Sequence, residues 1–178
     1  MAKFTKIGDM VQVEFTEQET FDSGSIIVPE NTPIIRYMDI VKFLSILSKQ
    51  SIWFVRPDQF SDEYEGFSTV EDSPKAKEVA DVFRKMSVVS CWNRFTSESF
   101  ALWRIYLVGS KYGIAIVTTV GDFMNSVNDP AEKKAITPFG IKYVEHDYNV
   151  DGINKDIAIT RKKSFYYYEQ EVRFALSY

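Results

Sequence analysis

One cysteine and one histidine, Cys91 and His146, are all that 178 residues offer in thiol and imidazole. With a single thiol no intrachain disulfide forms, and the chain fits a reducing, cytoplasmic setting. A zinc centre built on Cys and His has too few ligands, so no metal is expected. A Ser-His-Asp triad would rest wholly on His146, and nothing around that residue supports it. Basic charge is also short. Lys and Arg number 21 against 25 Asp and Glu, for a net charge of −4. Without a general basic face, tight nonspecific binding to nucleic acid is not expected. No apolar run approaches the roughly 20 residues of a membrane span, so no membrane partner is expected. The opening MAKFTKIGDM lacks the apolar centre of a secretory signal. Neither G-x-G-x-x-G nor G-x-x-x-x-G-K-[ST] occurs, which removes the common nucleotide loops.

What is abundant is aromatic: 14 Phe, 10 Tyr and 3 Trp. Rings at this density serve a core, and they also wall pockets. The length suits one domain over 1–178, with 1–33 as an N-terminal extension of irregular chain or short strands. Ile40, Phe43, Leu44 and Leu47 recur at helical spacing behind Asp39, which can cap the helix start. SIWFVRP reads as a short strand ended by Pro57. Ser73 and Pro74 mark a second helix with Ala76, Val79, Ala80 and Phe83 on one face. SVVSCW reads as a buried strand, and SESFALWRIYLV as a helix with Phe100, Trp103 and Leu107 on one side. YGIAIVTTV is apolar on both faces and is expected in the sheet centre, with Gly113 allowing a turn before it. Asp122 begins a short helix, FGIKYVEHD is a strand, 151–168 is helical, and 171–177 is the closing strand. The order predicts an α+β fold: a single compact domain, a mixed sheet and interleaved helices.

Several groups of residues can carry chemistry. YYYEQEVRF near the C-terminus holds Glu169 and Glu171. On a strand, positions i and i+2 point the same way, so the pair can aim a carboxylate into a cleft. There it can accept bonds from a sugar diol or steady a developing positive charge. The alternatives are an exposed strand end or ion pairing with Arg173. Arg36 and Tyr37 are expected in a strand-to-helix turn, where the planar fork of Arg36 matches phosphate oxygens. Ser90, Cys91 and Trp92 end a buried strand. The Ser90 hydroxyl can orient a ligand and Trp92 can stack on one, or Trp92 simply packs the core and Cys91 is inert. Asp62, Glu63 and Glu65 lie in an acidic loop without the ligand spacing of a calcium site.

The motifs IIRYMDIVKFLSIL, IWFVRPDQFSDEYEGF, VVSCW, FALWRIYLVGSKYGIAI and KKSFYYYEQEVRF occur in the order seen in a bacterial group called domain of unknown function 2971, which the chain resembles over roughly 34–176. More distantly, Arg36, Ser90 and the Glu169–Glu171 pair resemble the Arg-Ser-Glu order of ADP-ribosyltransferases. Cys91 and Trp92 stand where that pattern has Thr-Ser. The resemblance implies an ADP-ribosyltransferase-like fold with NAD as substrate. It implies Arg36 on the NAD phosphates, Ser90 supporting the nicotinamide-ribose pocket, Glu171 at the oxocarbenium-like centre and Glu169 on the acceptor. Tyr37, Tyr168 and Trp92 would wall the pocket. The acceptor would be an unidentified protein or nucleic acid. The rival is a noncatalytic interaction module, of a phage or a bacterial defence locus, that keeps the fold without the chemistry.

Overall fold

The closing strand lies in the middle of the sheet. The computed structural model describes residues 3–7, 10–14, 26–60, 74–107, 109–145 and 159–177. His146, the Asp62–Glu65 loop and the first part of the expected 151–168 helix lie outside them. The main sheet has six strands, β3 (Ile26–Ile27), β7 (Ile136–Gly140), β10 (Glu171–Ser177), β5 (Ser87–Arg94), β4 (Pro33–Asp39) and β6 (Gly113–Thr119), in that spatial order. All its pairings are antiparallel. β1 (Lys3–Ile7) and β2 (Met10–Glu14) form a separate antiparallel pair, and β8 (Lys142–Val144) pairs in parallel with β9 (Arg161–Lys163). The helices are α1 (Ile40–Lys49), α2 (Pro74–Lys85), α3 (Phe100–Tyr106), α4 (Val120–Asn125) and α5 (Pro130–Ala135). The fold is α+β, as expected from the element order.

Side-chain alternation divides the core between the two faces of the sheet. Val172, Phe174, Trp92 and Ile34 point to one face and meet Val120 and Phe123 of α4. The Phe123 and Phe174 rings lie 3.8 Å apart, with Trp92 edge-on to Phe123 at 5.4 Å. Ala175 and Val89 point to the other face, with Phe139, Ile141 and Ile159. β10 is thus buried on both faces from Glu171 to Ala175. A third cluster joins Ile35 and Tyr37 of β4 to Leu102 of α3.

The structure corrects several expectations. β6 is an edge strand, and its apolar residues are half-buried apart from Val117, which is exposed. Gly113 opens β6 in place of forming a turn, and a Cβ there would lie 2.5 Å from the Leu107 side chain. Arg36 and Tyr37 lie inside β4, because α1 starts only at Ile40. Asp39 does cap α1, accepting the Lys42 N–H at 2.8 Å. The apolar stripe of α1 stays largely outside, and no α1 residue is fully buried. On α3 the buried residue is Leu102, while Phe100 is exposed. FGIKYVEHD splits into the end of β7 and β8, and 161–169 forms β9 followed by a 3₁₀ turn, Ser164–Glu169, in place of a helix. SIWFVRP makes only one bridge, Val55 to Val89, before Pro57 starts a short 3₁₀ turn.

Candidate functional site

β4 and β5 stay together for only part of their length. Ile34 pairs with Arg94 and Ile35 with Asn93, and the ladder stops there. β4 continues beside β6 to Asp39, and β5 runs back beside β10 to Ser87. The sheet splits. Farther along the vacated edge, Val55 exchanges both backbone bonds with Val89 at 2.8 Å. Two positions along the register from Ile35–Asn93 come Tyr37 and Cys91, with Cys91 between the two pairings of β5.

The hydrogen-bonding alternation of an antiparallel ladder sets where their backbones aim. The Ile40 N–H binds the Tyr112 carbonyl and the Val120 N–H binds that of Thr32. Even-numbered residues of β4 therefore bond towards β6, and Tyr37, like Ile35, turns its N–H and C=O towards β5. The bonds of Val89 to Val55 place the N–H and C=O of Cys91 on the edge facing β4. Two donor–acceptor edges face each other across the split. Backbone polar groups in such a place require a polar partner.

A cavity of about 620 Å³ occupies the split. Arg36 is the first β4 residue beyond the last pairing. It reaches across and donates from Nη1 to Ser90 Oγ at 3.0 Å, with its guanidinium carbon 5.8 Å from the centre of the Trp92 ring. Ser90 Oγ also accepts the Trp92 Nε1–H at 3.1 Å. Burial lowers the Arg36 pKa. Among the described residues no carboxylate pairs with it. Among the described residues this walled-in guanidinium meets a hydroxyl and a ring but no anion, which leaves its charge uncompensated there.

The two glutamates arrive differently from a simple strand. Glu169 ends the 3₁₀ turn, Gln170 adopts a left-handed φ of 41°, and Glu171 opens β10. The turn breaks the strand alternation, and both carboxylates still converge on one cation. Lys162 Nζ lies 2.6 Å from Glu169 Oε2 and 3.3 Å from Glu171 Oε2. Arg173 grips Glu171 through two bonds, Nε to Oε1 at 2.7 Å and Nη2 to Oε2 at 3.1 Å. Its Nη1 donates to the Ile159 carbonyl at 2.9 Å. The Asn93 amide donates to the Glu169 carbonyl at 2.8 Å, and the Glu171 N–H donates to the Tyr143 hydroxyl at 2.8 Å. These bonds lock the corner that carries both carboxylates.

Burial raises the Glu171 pKa, against the pull of Lys162 and a hydrogen bond from Cys91. Burial lowers Arg173 to about 9, which still leaves it charged at neutral pH. Burial also disfavours the Lys162 charge, but Glu171 and Glu169 outweigh it and raise that pKa. The Cys91 thiol is pushed well up by burial and by Glu171, so it is not a thiolate nucleophile at neutral pH. Two carboxylates balance Lys162 and Arg173, Lys42 at the rim pairs with Asp39 at 3.3 Å, and among the described residues Arg36 remains as the positive excess. The arrangement suits an anion. The rings of Tyr106, Trp53 and Phe60 line the same space and suit a flat group beside that anion.

Of the residues read from sequence, Arg36, Tyr37 and Glu171 line this cavity. Ser90 stands one bond behind, holding Arg36. Glu169 stands one ion pair behind, holding Lys162. Tyr37 is itself fixed: its hydroxyl accepts the Ser99 N–H at 3.0 Å, and Trp103 meets its ring edge-on at 4.7 Å. Trp92 is 2% exposed and belongs to the core, where it supports Arg36 from below and is not positioned to stack on a ligand. Tyr168 is half exposed and outside the cavity lining. Sequence reading missed Lys162, Asn93, Tyr106 and Tyr143. Lys162 sits in the run Arg161–Lys163, which looks like a solvated basic stretch; only the tertiary fold brings it to Glu169 and Glu171. No family model, no curated protein and no solved structure matches the chain.

Proposed function

We propose that the split between β4 and β5 binds a nucleotide-class anion, NAD on the strength of the resemblance, and that the protein is ADP-ribosyltransferase-like, modifying a protein or nucleic-acid acceptor. The observation that supports this most is Arg36. It is a largely buried guanidinium with no carboxylate partner among the described residues, aimed into a cavity with rings on its walls. A pyrophosphate would supply the missing counter-charge through paired hydrogen bonds. A carboxamide would match the open donor–acceptor edge of Tyr37 or Cys91. In the transfer step the C1′–nicotinamide bond breaks and its electron pair leaves with nicotinamide. The acceptor nucleophile bonds C1′ and loses its proton. Glu171 lines the same cavity as Arg36, and we assign it the stabilisation of the positive ribose.

One observation favours the noncatalytic rival. Both oxygens of Glu171 already accept bonds from Arg173 and Lys162, which neutralise much of the field a ribose cation would feel. Release of labelled nicotinamide from NAD separates the two readings. The transferase reading expects turnover by wild type and a loss on the order of 10²–10³ in Glu171→Gln, with NAD affinity kept within a few-fold. Binding of NAD without turnover assigns the protein to the noncatalytic class. Absence of both binding and turnover rejects the NAD reading.

A further inference from the structure

The geometry points to a second copy of this chain as the partner of the β6 edge, joined strand to strand about Ala115. The same ladder alternation that turns Tyr37 towards β5 turns Gly113, Ala115 and Val117 away from β4. Their N–H and C=O groups form an open edge, and no hydrogen bond from the described residues covers it. Sheets ordinarily blunt such an edge with lysines, prolines or a bulge. GIAIVTT has none of these, and Val117 is 52% exposed. The opposite edge, β3, is only two residues long and offers no comparable template.

The occupant is argued from self-complementarity. An antiparallel strand paired with its own copy about Ala115 is isologous: Ala115 meets Ala115, and Gly113 meets Val117 of the second copy. An uncharged strand brings no like charges together. Strand pairing alone buries less than the roughly 800 Å² per partner of a stable interface. Helix α1 supplies more. It is tied to the β6 side by the Ile40 N–H to Tyr112 carbonyl bond. Its Lys42, Ser45 and Ile46 face the cleft, between β4 and β5. Its opposite side is apolar and uncovered, with Val41 71%, Leu44 55% and Leu47 57% exposed. α1 packs against β4 and β6, and in the proposed dimer its side away from the cleft meets the same side of the second copy. The dimer joins two six-stranded sheets into one.

Sedimentation of the full chain tests this. At roughly 100 μM, above the micromolar range of modest interfaces, wild type should sediment at twice 20.6 kDa. Ala115→Pro removes an outward N–H that bonds nothing among the described residues, and should sediment as a monomer. Val117→Lys combined with Leu44→Glu changes only exposed side chains, should keep the wild-type circular dichroism, and should also be monomeric. A wild type that stays monomeric at this concentration overturns the proposal. So does a dimer that survives both sets of substitutions.

Discussion

Arg173 and Glu171 are the residues whose environment departs most from water. Both are buried and hold each other through two bonds. Removing one partner strands the other charge, which typically costs about 3–5 kcal/mol, whereas replacing both by apolar groups is near neutral. Arg173→Met should therefore lower stability by about that amount in urea titration. Glu171→Gln should do the same, and a Glu171→Leu, Arg173→Met double variant, apolar at both positions, should recover most of the loss. Recovery of stability without recovery of NAD turnover marks Glu171 as chemical; equal turnover per folded molecule in the double variant and wild type removes it from the reaction. The pairing of Glu171 with Arg173 was one of the open readings of the motif, since the two residues are adjacent on one strand face. Its burial was not legible, because nothing local in EQEVRF tells that β7 and β5 flank it on either side.

Helix α1 shows what local signals reach and where they stop. Asp39 is legible as a cap from its place before an apolar period. The Lys42 N–H that it accepts lowers the Asp39 pKa. A carboxylate with a lowered folded pKa contributes stability that is complete above its ordinary 3.8 and is lost as pH falls through the lower folded value. Wild type should thus be more stable than Asp39→Asn at pH near 5, and the difference should vanish at pH near 2, read from melting curves at both pH values. A difference that persists unchanged in acid would contradict the cap. The direction of the apolar face of α1 was not legible. Period 3.6 reports that a face exists; whether a sheet or a second molecule lies against it is a tertiary matter. β6 repeats the lesson, since an uncharged apolar strand reads as central and here forms a rim. β10 was legible as a closing strand, and Phe174→Ala should cost about 3–5 kcal/mol through the cavity it leaves beside Phe123 and Trp92, measured by urea unfolding.

At the scale of the molecule, the α+β class followed from the order of elements, but the site came from where two strands part. No sequence pattern announces a ladder that ends after two pairs. The split brings Arg36 and Glu171 to one cavity, leaves Tyr37 and Cys91 with backbone edges open among the described residues, and sets an excess positive charge among rings. The account stands on Arg36 seeking an anion there. Titration calorimetry with NAD on wild type and Arg36→Lys tests that claim most directly. Lysine keeps the charge and loses the two-pronged donor fork. The account predicts saturable binding by wild type, weakened roughly tenfold or more in Arg36→Lys at an unchanged melting temperature. No heat and no thermal stabilisation of wild type at millimolar NAD, or equal affinity in both proteins, would contradict it.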